Sequence, residues 1–413
     1  MRILITNLFV ATNSGTETVV EMLADGFRRA GHEPMVLAPT LGPQADLMRA
    51  RGHVVVDRVA ALPAKPDLIH AQHTPVALSA LAAFPDVPAV FSCHNPLYEV
   101  EAPRPHPQIR RWIAMDDLTR KRCLSRGVPA EYLTVIPNAV DFRRFARRSP
   151  LPSRPGRALL LTKTHEHQAT VRAVCLEQGL SLDELGPATA RFSTQIEQEL
   201  PDYDLVFATE RMALEAAAVG CAVIICDGRG FAGLLTSEFL PAWRALNFGV
   251  GLLTMPTTPE ALHAAIAGYD ADDAAIVTDR LRAQASVDDS IAQHLAVYAA
   301  ALAEPAPIDP RALAAATAAW IEDLVPGAAT RDWHIVAREI FRIHAVPPAE
   351  YLLAMEQRLR EEIGRQGEST RDTFVGLTLT DAFRVLWWRF VPRAARFPIY
   401  RAWRRIPRTR QSS

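Results

Sequence analysis

Several polar and charged residues fall where apolar runs end, the places at which chemistry in an α/β chain is usually built. Lys163 follows the apolar residues 158–161 (ALLL), and it is one of three lysines among 45 basic residues. An ammonium group at such a strand end lies where open α/β sheets bind their ligands, and it can stabilise negative charge developing on a leaving phosphate. Arg172, one helix further on, offers a second cation, with a solvated surface charge as the competing reading. Asn13-Ser14-Gly15-Thr16 joins a strand to a helix. Gly15 lets backbone N–H groups approach a phosphate or sugar, and the helix dipole at Thr16 favours an anion; a plain capped turn competes. Asp227-Gly228-Arg229-Gly230 follows another apolar run and reads as a backbone nest for a diphosphate, with Arg229 as a cation and an ordinary turn as the alternative.

Glu215 sits between Leu214 and a run of alanines, and a carboxylate amid so much apolar surface needs partners or a reason. The bland reading is a Glu favoured by a helix N-terminal dipole. His94 follows Val90-Phe91-Ser92-Cys93 at a strand end, a locally satisfied histidine being the competing reading; His70 and His73 are weaker versions of the same case. His165-Glu166-His167 lacks a third ligand nearby, so it reads as exposed loop and no metal site is expected. The five cysteines, at 93, 123, 175, 221 and 226, are odd in number and form no CxxC spacing, which fits a reducing cytoplasm. Cys221 and Cys226 lie five residues apart in one strand and so point to opposite faces.

The elements that position these residues alternate. Strands are expected at 2–8, 35–37, 54–56, 67–70, 89–91 and 134–136, with a helix whose face carries Val19, Leu23 and Phe27 between the first two. SPLPSRPG (149–156) contains three prolines and no periodicity, so the interdomain linker is placed at 149–157. A second, shorter series follows: strand 158–161, helix 168–178, strand 204–207, helix 211–219, strand 222–226, and a closing helix at 286–303 with Ser286 as N-cap. EPAPIDP (304–310) then separates a helical extension in which Leu352, Met355, Leu359 and Ile363 share one face. The expected organisation is therefore α/β, with a domain at 1–148, a second at 158–303, and a helical region at 304–413.

The chain of 413 residues is 49% hydrophobic and 22% charged, with a net charge of -1. Disorder is excluded as the main theme, and a nucleic-acid-binding body is not expected. Residues 380–413 nevertheless hold nine arginines and one aspartate, interleaved with Trp387, Trp388, Phe390, Phe397, Tyr400 and Trp403. That mixture suits an anionic lipid surface, the alternative being an amphipathic helix packed on the body. No run approaches a membrane span, and the short apolar start is unlike a signal peptide, so a cytoplasmic or membrane-peripheral protein is expected.

Several of these segments together resemble the family 4 glycosyltransferases. They are SGTETVVEMLADGFRRAGHEPMVLAP (14–39), DLIHAQHTP (67–75), PAVFSCHN (88–95), YLTVIPNAVDFRRF (132–145) and ALEAAAVGCAVIICDGRG (213–230), in the family's order over residues 1–303. The resemblance implies the GT-B architecture, two Rossmann-like domains facing each other, the first presenting the acceptor and the second binding the donor. It implies a retaining transfer from a UDP- or GDP-sugar to a glycan, lipid-linked or small-molecule acceptor, with no metal or other cofactor required. It further implies His94 near the reacting centre and Glu215 on the donor ribose. Two departures stand out. The family's outer Glu, eight residues before Glu215, is here Phe207, with Glu210 as a substitute at a different angle; the family's Gly-Arg is here Thr162-Lys163, and its later Lys is Ala169.

The expectation is thus a sugar-transferring enzyme of envelope polysaccharide or glycolipid synthesis, with Lys163 and Glu215 gripping a diphospho-sugar from one shared cavity. Its catalytic residues are His94 and Lys163, and its donor-binding residues Gly15, Thr16, Arg172, Glu215, Gly228, Arg229 and Gly230. The departures sustain two rivals: a catalytically silent nucleotide- or glycan-binding scaffold, and a sugar-nucleotide epimerase of the same architecture.

Overall fold

Short runs rich in Ile, Leu and Val form strands buried on both faces, the pattern of a parallel sheet covered by helices. The computed structural model describes residues 1–324 apart from 13, 14, 97, 190, 192, 194 and 305–308. In the first lobe, β1 (Arg2–Thr6), β2 (Glu33–Leu37), β3 (Val54–Val56), β4 (Leu68–Ala71), β5 (Ala89–Cys93), β6 (Ile109–Ala114) and β7 (Leu133–Val135) make one parallel sheet in the order β3-β2-β1-β4-β5-β6-β7. Helix α1 (Gly15–Arg29) buries Val19, Val20, Leu23 and Phe27, the face that its spacing predicts. Helix α2 (Asp117–Ser125) is capped by Asp116, whose side chain accepts the Thr119 N–H at 2.7 Å.

The second lobe contains β8 (Arg157–Leu161), β9 (Ser181–Leu185), β10 (Leu205–Ala208), β11 (Ala222–Asp227) and β12 (Gly230–Leu234), in the order β9-β8-β10-β11-β12, with β12 antiparallel. Helix α3 (Gln168–Glu177) follows β8, and α4 (Glu210–Val219) follows β10. The strand order reverses between β8 and β10, which makes their carboxyl ends the lobe's topological switch point. Cys221 and Cys226 enter different apolar cores, as expected of residues on opposite faces.

The chain changes lobes earlier than the Pro-rich segment suggests. Ala139 belongs to a core of the first lobe, whereas Val140 and Phe145 belong to a core of the second. Residues 149–156 instead run along the second lobe, where the Tyr269 hydroxyl donates to the Pro152 carbonyl and the Gly156 N–H to Asp204. A second crossing brings the chain back. The Val140 N–H donates to the Ala285 carbonyl at 2.8 Å and the Val287 N–H to the Val140 carbonyl at 3.1 Å, so the two crossings lie side by side.

Helix α5 (Val287–Leu302), expected to close the second lobe, packs on the first. Its N-cap is Ser286, as predicted, and its Ile291, Val297, Tyr298 and Ala301 bury against Phe27, Val20 and the sheet. The Tyr298 hydroxyl is also hydrogen-bonded to His70 Nδ1 at 2.6 Å. Helix α6 (Pro310–Leu324) adds Trp320, whose Nε1 donates to the Pro105 carbonyl at 3.1 Å and whose ring meets Phe91 edge-on. The helical face at 352–363 and the basic aromatic segment at 380–413 lie outside the described residues. Among the described residues no helix is long and apolar enough to cross a membrane.

Phe27 is fully buried between α5 and the first sheet. Phe27→Ala is expected to cost about 3–5 kcal/mol, read as a shift in the urea midpoint at unchanged slope; a loss below about 1 kcal/mol, the range of an ordinary surface change, would refute the α1–α5 packing as a main anchor.

Candidate active site

Three charged residues meet at the switch point of the second lobe. Lys163 follows β8, Glu210 opens α4 directly after β10, and Arg229 lies in the turn between β11 and β12. Glu210 Oε2 is 3.2 Å from Lys163 Nζ, and Glu210 Oε1 is 2.9 Å from Arg229 Nη2. Burial raises the carboxyl's pKa, but the Lys163 and Arg229 charges outweigh it and leave Glu210 below the ordinary value. Arg229 is held from behind by Asp227 at 2.5 Å, and buried Asp227 also accepts the Thr209 hydroxyl at 3.1 Å.

The backbone around this cluster is constrained. Glu210 has φ +58°, a left-handed conformation that costs a non-glycine residue free energy, and its N–H donates to the Phe248 carbonyl at 2.8 Å. Asn247 and Phe248 are themselves left-handed, at φ +48° and +54°. Buried Asn247 stitches the lobes together: its Nδ2 donates to the Met115 carbonyl, and its Oδ1 accepts the Asn138 N–H at 3.2 Å and Arg244 Nη1 at 2.6 Å. Arg244 also donates to the Asn138 carbonyl.

The expected nest at 227–230 is instead a tight hairpin turn, with Asp227 opposite Gly230. Its amides are already used: Gly228 N–H donates to Thr164 Oγ1 at 2.8 Å and Arg229 N–H to Asp227 Oδ1 at 2.7 Å. Gly228 and Gly230 are required by crowding, since a Cβ on the first would strike Glu166 and Thr164 and on the second the Leu253 and Met255 carbonyls. In the loop before α1, buried Glu17 accepts Ala11 N–H, Thr12 N–H and the Thr12 hydroxyl, so a carboxylate of the helix's first turn holds that loop.

Glu215 does not join Lys163. It is buried and ion-paired with Arg211, 2.9 Å from its Nε, with burial pushing its pKa up against the Arg211 and Arg144 charges. The expected Lys163–Glu215 grip is thus replaced by Lys163–Glu210, because Glu210 stands at the helix start whereas Glu215 lies more than a turn inside. Arg172 is engaged by Glu184 through two contacts and by Gln168 Oε1 at 3.0 Å. It lines a cavity of about 510 Å³ together with His165, Gln168, Asp183, Glu184 and Thr189. His165 is exposed as expected, but His167 is buried, its Nδ1 3.5 Å from Thr164 Oγ1.

In the first lobe His94 follows β5, and neither ring nitrogen has a hydrogen-bond partner among the described residues although both are shielded from solvent. It lines a cavity of about 20 Å³ with Asn138, Ser290 and His294, room for about one water molecule. Burial brings its pKa down to about 4 against the opposing Glu101 charge, and burial does the same to His294. His70 and His73 have local partners: Tyr298 for the first, the Leu8 N–H at 3.1 Å for the second. Among the described residues no group of three or more His, Cys, Asp or Glu is arranged to hold a metal ion.

Two lobes with sheets of this kind, a switch point at the strand ends of the second and a back-crossing helix make the GT-B fold. Anabaena HepE solved with UDP and glucose superposes with a TM-score of 0.54 at 15% identity, over 72% of this chain and 99% of that one. HepE with UDP-glucose gives 0.52 at 16%, over 72% and 99%. No curated protein sequence matches the chain. Residues 13–144 match the model of Glycosyltransferase Family 4.

Two outcomes follow from the site's charges. Removing Arg211 strands a buried carboxylate, so Arg211→Ala is expected to lose about 3–5 kcal/mol in chemical denaturation, and Arg211→Ala with Glu215→Gln to recover part of it. His94 and His294 titrate near 4 in the fold but near about 6.5 when unfolded. Between these values the unfolded chain binds more protons, so stability falls as pH drops through that window. The Tm at pH 5 should lie below that at pH 7.5, and His94→Gln should flatten the slope; an unchanged slope would count against the buried neutral imidazole.

Proposed function

We propose that the chain transfers a sugar from a nucleotide-sugar donor, UDP- or GDP-linked, to a glycan, lipid-linked or small-molecule acceptor held by the first lobe, with retention at the anomeric carbon. The observation that carries this reading is the convergence of Lys163 and Arg229 on one anion at the switch point of the second lobe. Two cations there can take two oxygens of a diphosphate and stabilise the charge that appears on it as the sugar bond breaks. The 510 Å³ cavity begins on the loop that carries Lys163, at His165 and Gln168, and has the size for a nucleoside. Its polar lining, Asp183, Glu184 and Thr189, offers acceptors for base and ribose.

His94 is the proposed group on the acceptor side: a neutral imidazole with two unpartnered nitrogens can take or give a hydrogen bond near the sugar. Gly15 and Thr16 shape the loop entrance in this reading, Gly228 and Gly230 hold Arg229 in its turn, and Glu215 with Arg211 supports α4 from inside. The protein is proposed to work in the cytoplasm, at an anionic membrane surface reached through residues 380–413. The silent-scaffold reading draws on one observation, that both cations are already neutralised by an internal carboxylate.

A panel of UDP-, GDP-, ADP- and dTDP-sugars assayed for nucleotide release separates the two. Turnover that falls roughly a hundredfold in Lys163→Ala, the scale of losing one transition-state donor, is expected; tight binding without release from any donor would favour the scaffold. Flotation with anionic vesicles should be lost on deleting residues 380–413, and equal flotation would remove that segment from the role.

A further inference from the structure

The carboxylate of Glu210 divides its oxygens between two cations, Oε2 to Lys163 at 3.2 Å and Oε1 to Arg229 at 2.9 Å. Two oxygens of one phosphate group would meet the same pair in the same way. The other acid on Arg229 is different in kind. Asp227 is buried and holds the Arg229 N–H, its guanidinium and the Thr209 hydroxyl together, so it belongs to the framework. Glu210 keeps a third of its side chain exposed, and among the described residues its carboxylate is bonded to the two cations alone.

Its backbone is held independently of its side chain. The amide is tied to the Phe248 carbonyl, and the left-handed φ of +58° is imposed on a residue type that does not favour it. A carboxylate anchored at the root and held at the tip by one hydrogen-bonded ion pair to each cation can give up both to a more highly charged anion. A diphosphate arriving at Lys163 and Arg229 brings more negative charge than the carboxylate it meets, and the two anions cannot share the cations without repulsion.

We propose that Glu210 is an exchangeable internal counter-anion: it occupies the phosphate position of the empty donor site and yields it to the diphosphate of a nucleoside diphosphate. The inference rests on the reading of Lys163 and Arg229 as donor-binding cations. Its consequence is that part of the intrinsic affinity of the site is masked, because a ligand binds only the fraction of molecules in which Glu210 has left. The Arg211–Glu215 pair, enclosed one turn deeper, does not exchange.

Calorimetric titration of the full chain with UDP and with inorganic pyrophosphate tests this. Glu210→Gln is expected to bind both roughly tenfold more tightly than the unaltered protein, and Glu210→Ala to shift in the same direction, with circular dichroism confirming that each variant is folded. Lys163→Ala is expected to weaken both ligands. Unchanged or weaker binding in both Glu210 variants, with Lys163→Ala still weakening it, overturns the exchange and leaves the donor site standing. Binding of both ligands untouched by Lys163→Ala removes the donor-site reading and the exchange with it.

Discussion

The backbone pairing of Val140 with Ala285 and Val287 is the constraint on which the remaining geometry depends. The chain passes between lobes twice, and both passages are bound to each other as a single bridge of parallel strand. Free crossings would let the lobes drift independently. Joined, they are reinforced by the seam at Asn247 and Arg244, which lies within 20 residues of Arg229 along the chain. The placement of Glu210, whose amide hangs from the neighbouring Phe248 carbonyl, is thereby referenced to the first lobe as well as the second.

Charge is arranged in layers around that reference. Asp227 and Glu215 lie inside, each with a permanent arginine, and their burial makes loss of the partner costly. Glu210 lies outside them and shares its charge between two cations. In the proposed reading the inner carboxylates set the positions of cations and helix, and the outer one sets how strongly those cations are available to a ligand. The absence of a carboxylate at 207 fits this plan, since β10 is buried through Phe207 and has no room for one.

Much of the framework was legible before any coordinate. RILIT and the ALLL run announce parallel strands, the Val19–Leu23–Phe27 spacing gives α1 its buried face, and Ser286 marks the start of α5. What remained hidden is tertiary. SLDEL is polar enough to pass for a loop and becomes strand β9 only because β8 pairs with it at the sheet edge. DGRG reads as an open nest, yet its amides are used by Thr164, distant in sequence, and by Asp227. The periodicity of α5 announces a buried face without saying which lobe buries it. Lys163 and Arg229 drew attention by type and place, but their joint partner Glu210 stood out only weakly, because the sequence shows that carboxylate beside Arg211 while the fold turns it to cations 47 residues before and 19 after.

The return of α5 to the first lobe has an effect on the order in which the molecule can be completed. Synthesis delivers residues 1–139 first, but Phe27 and Val20 remain without their cover until Tyr298 and Ala301 have been added, after the whole second lobe. The half that is made first is thus finished last. Until then it presents an oily flank to its surroundings, a period in which nascent chains are prone to stick to one another or to require a chaperone, and a fragment ending at the Pro-rich segment would carry that flank permanently.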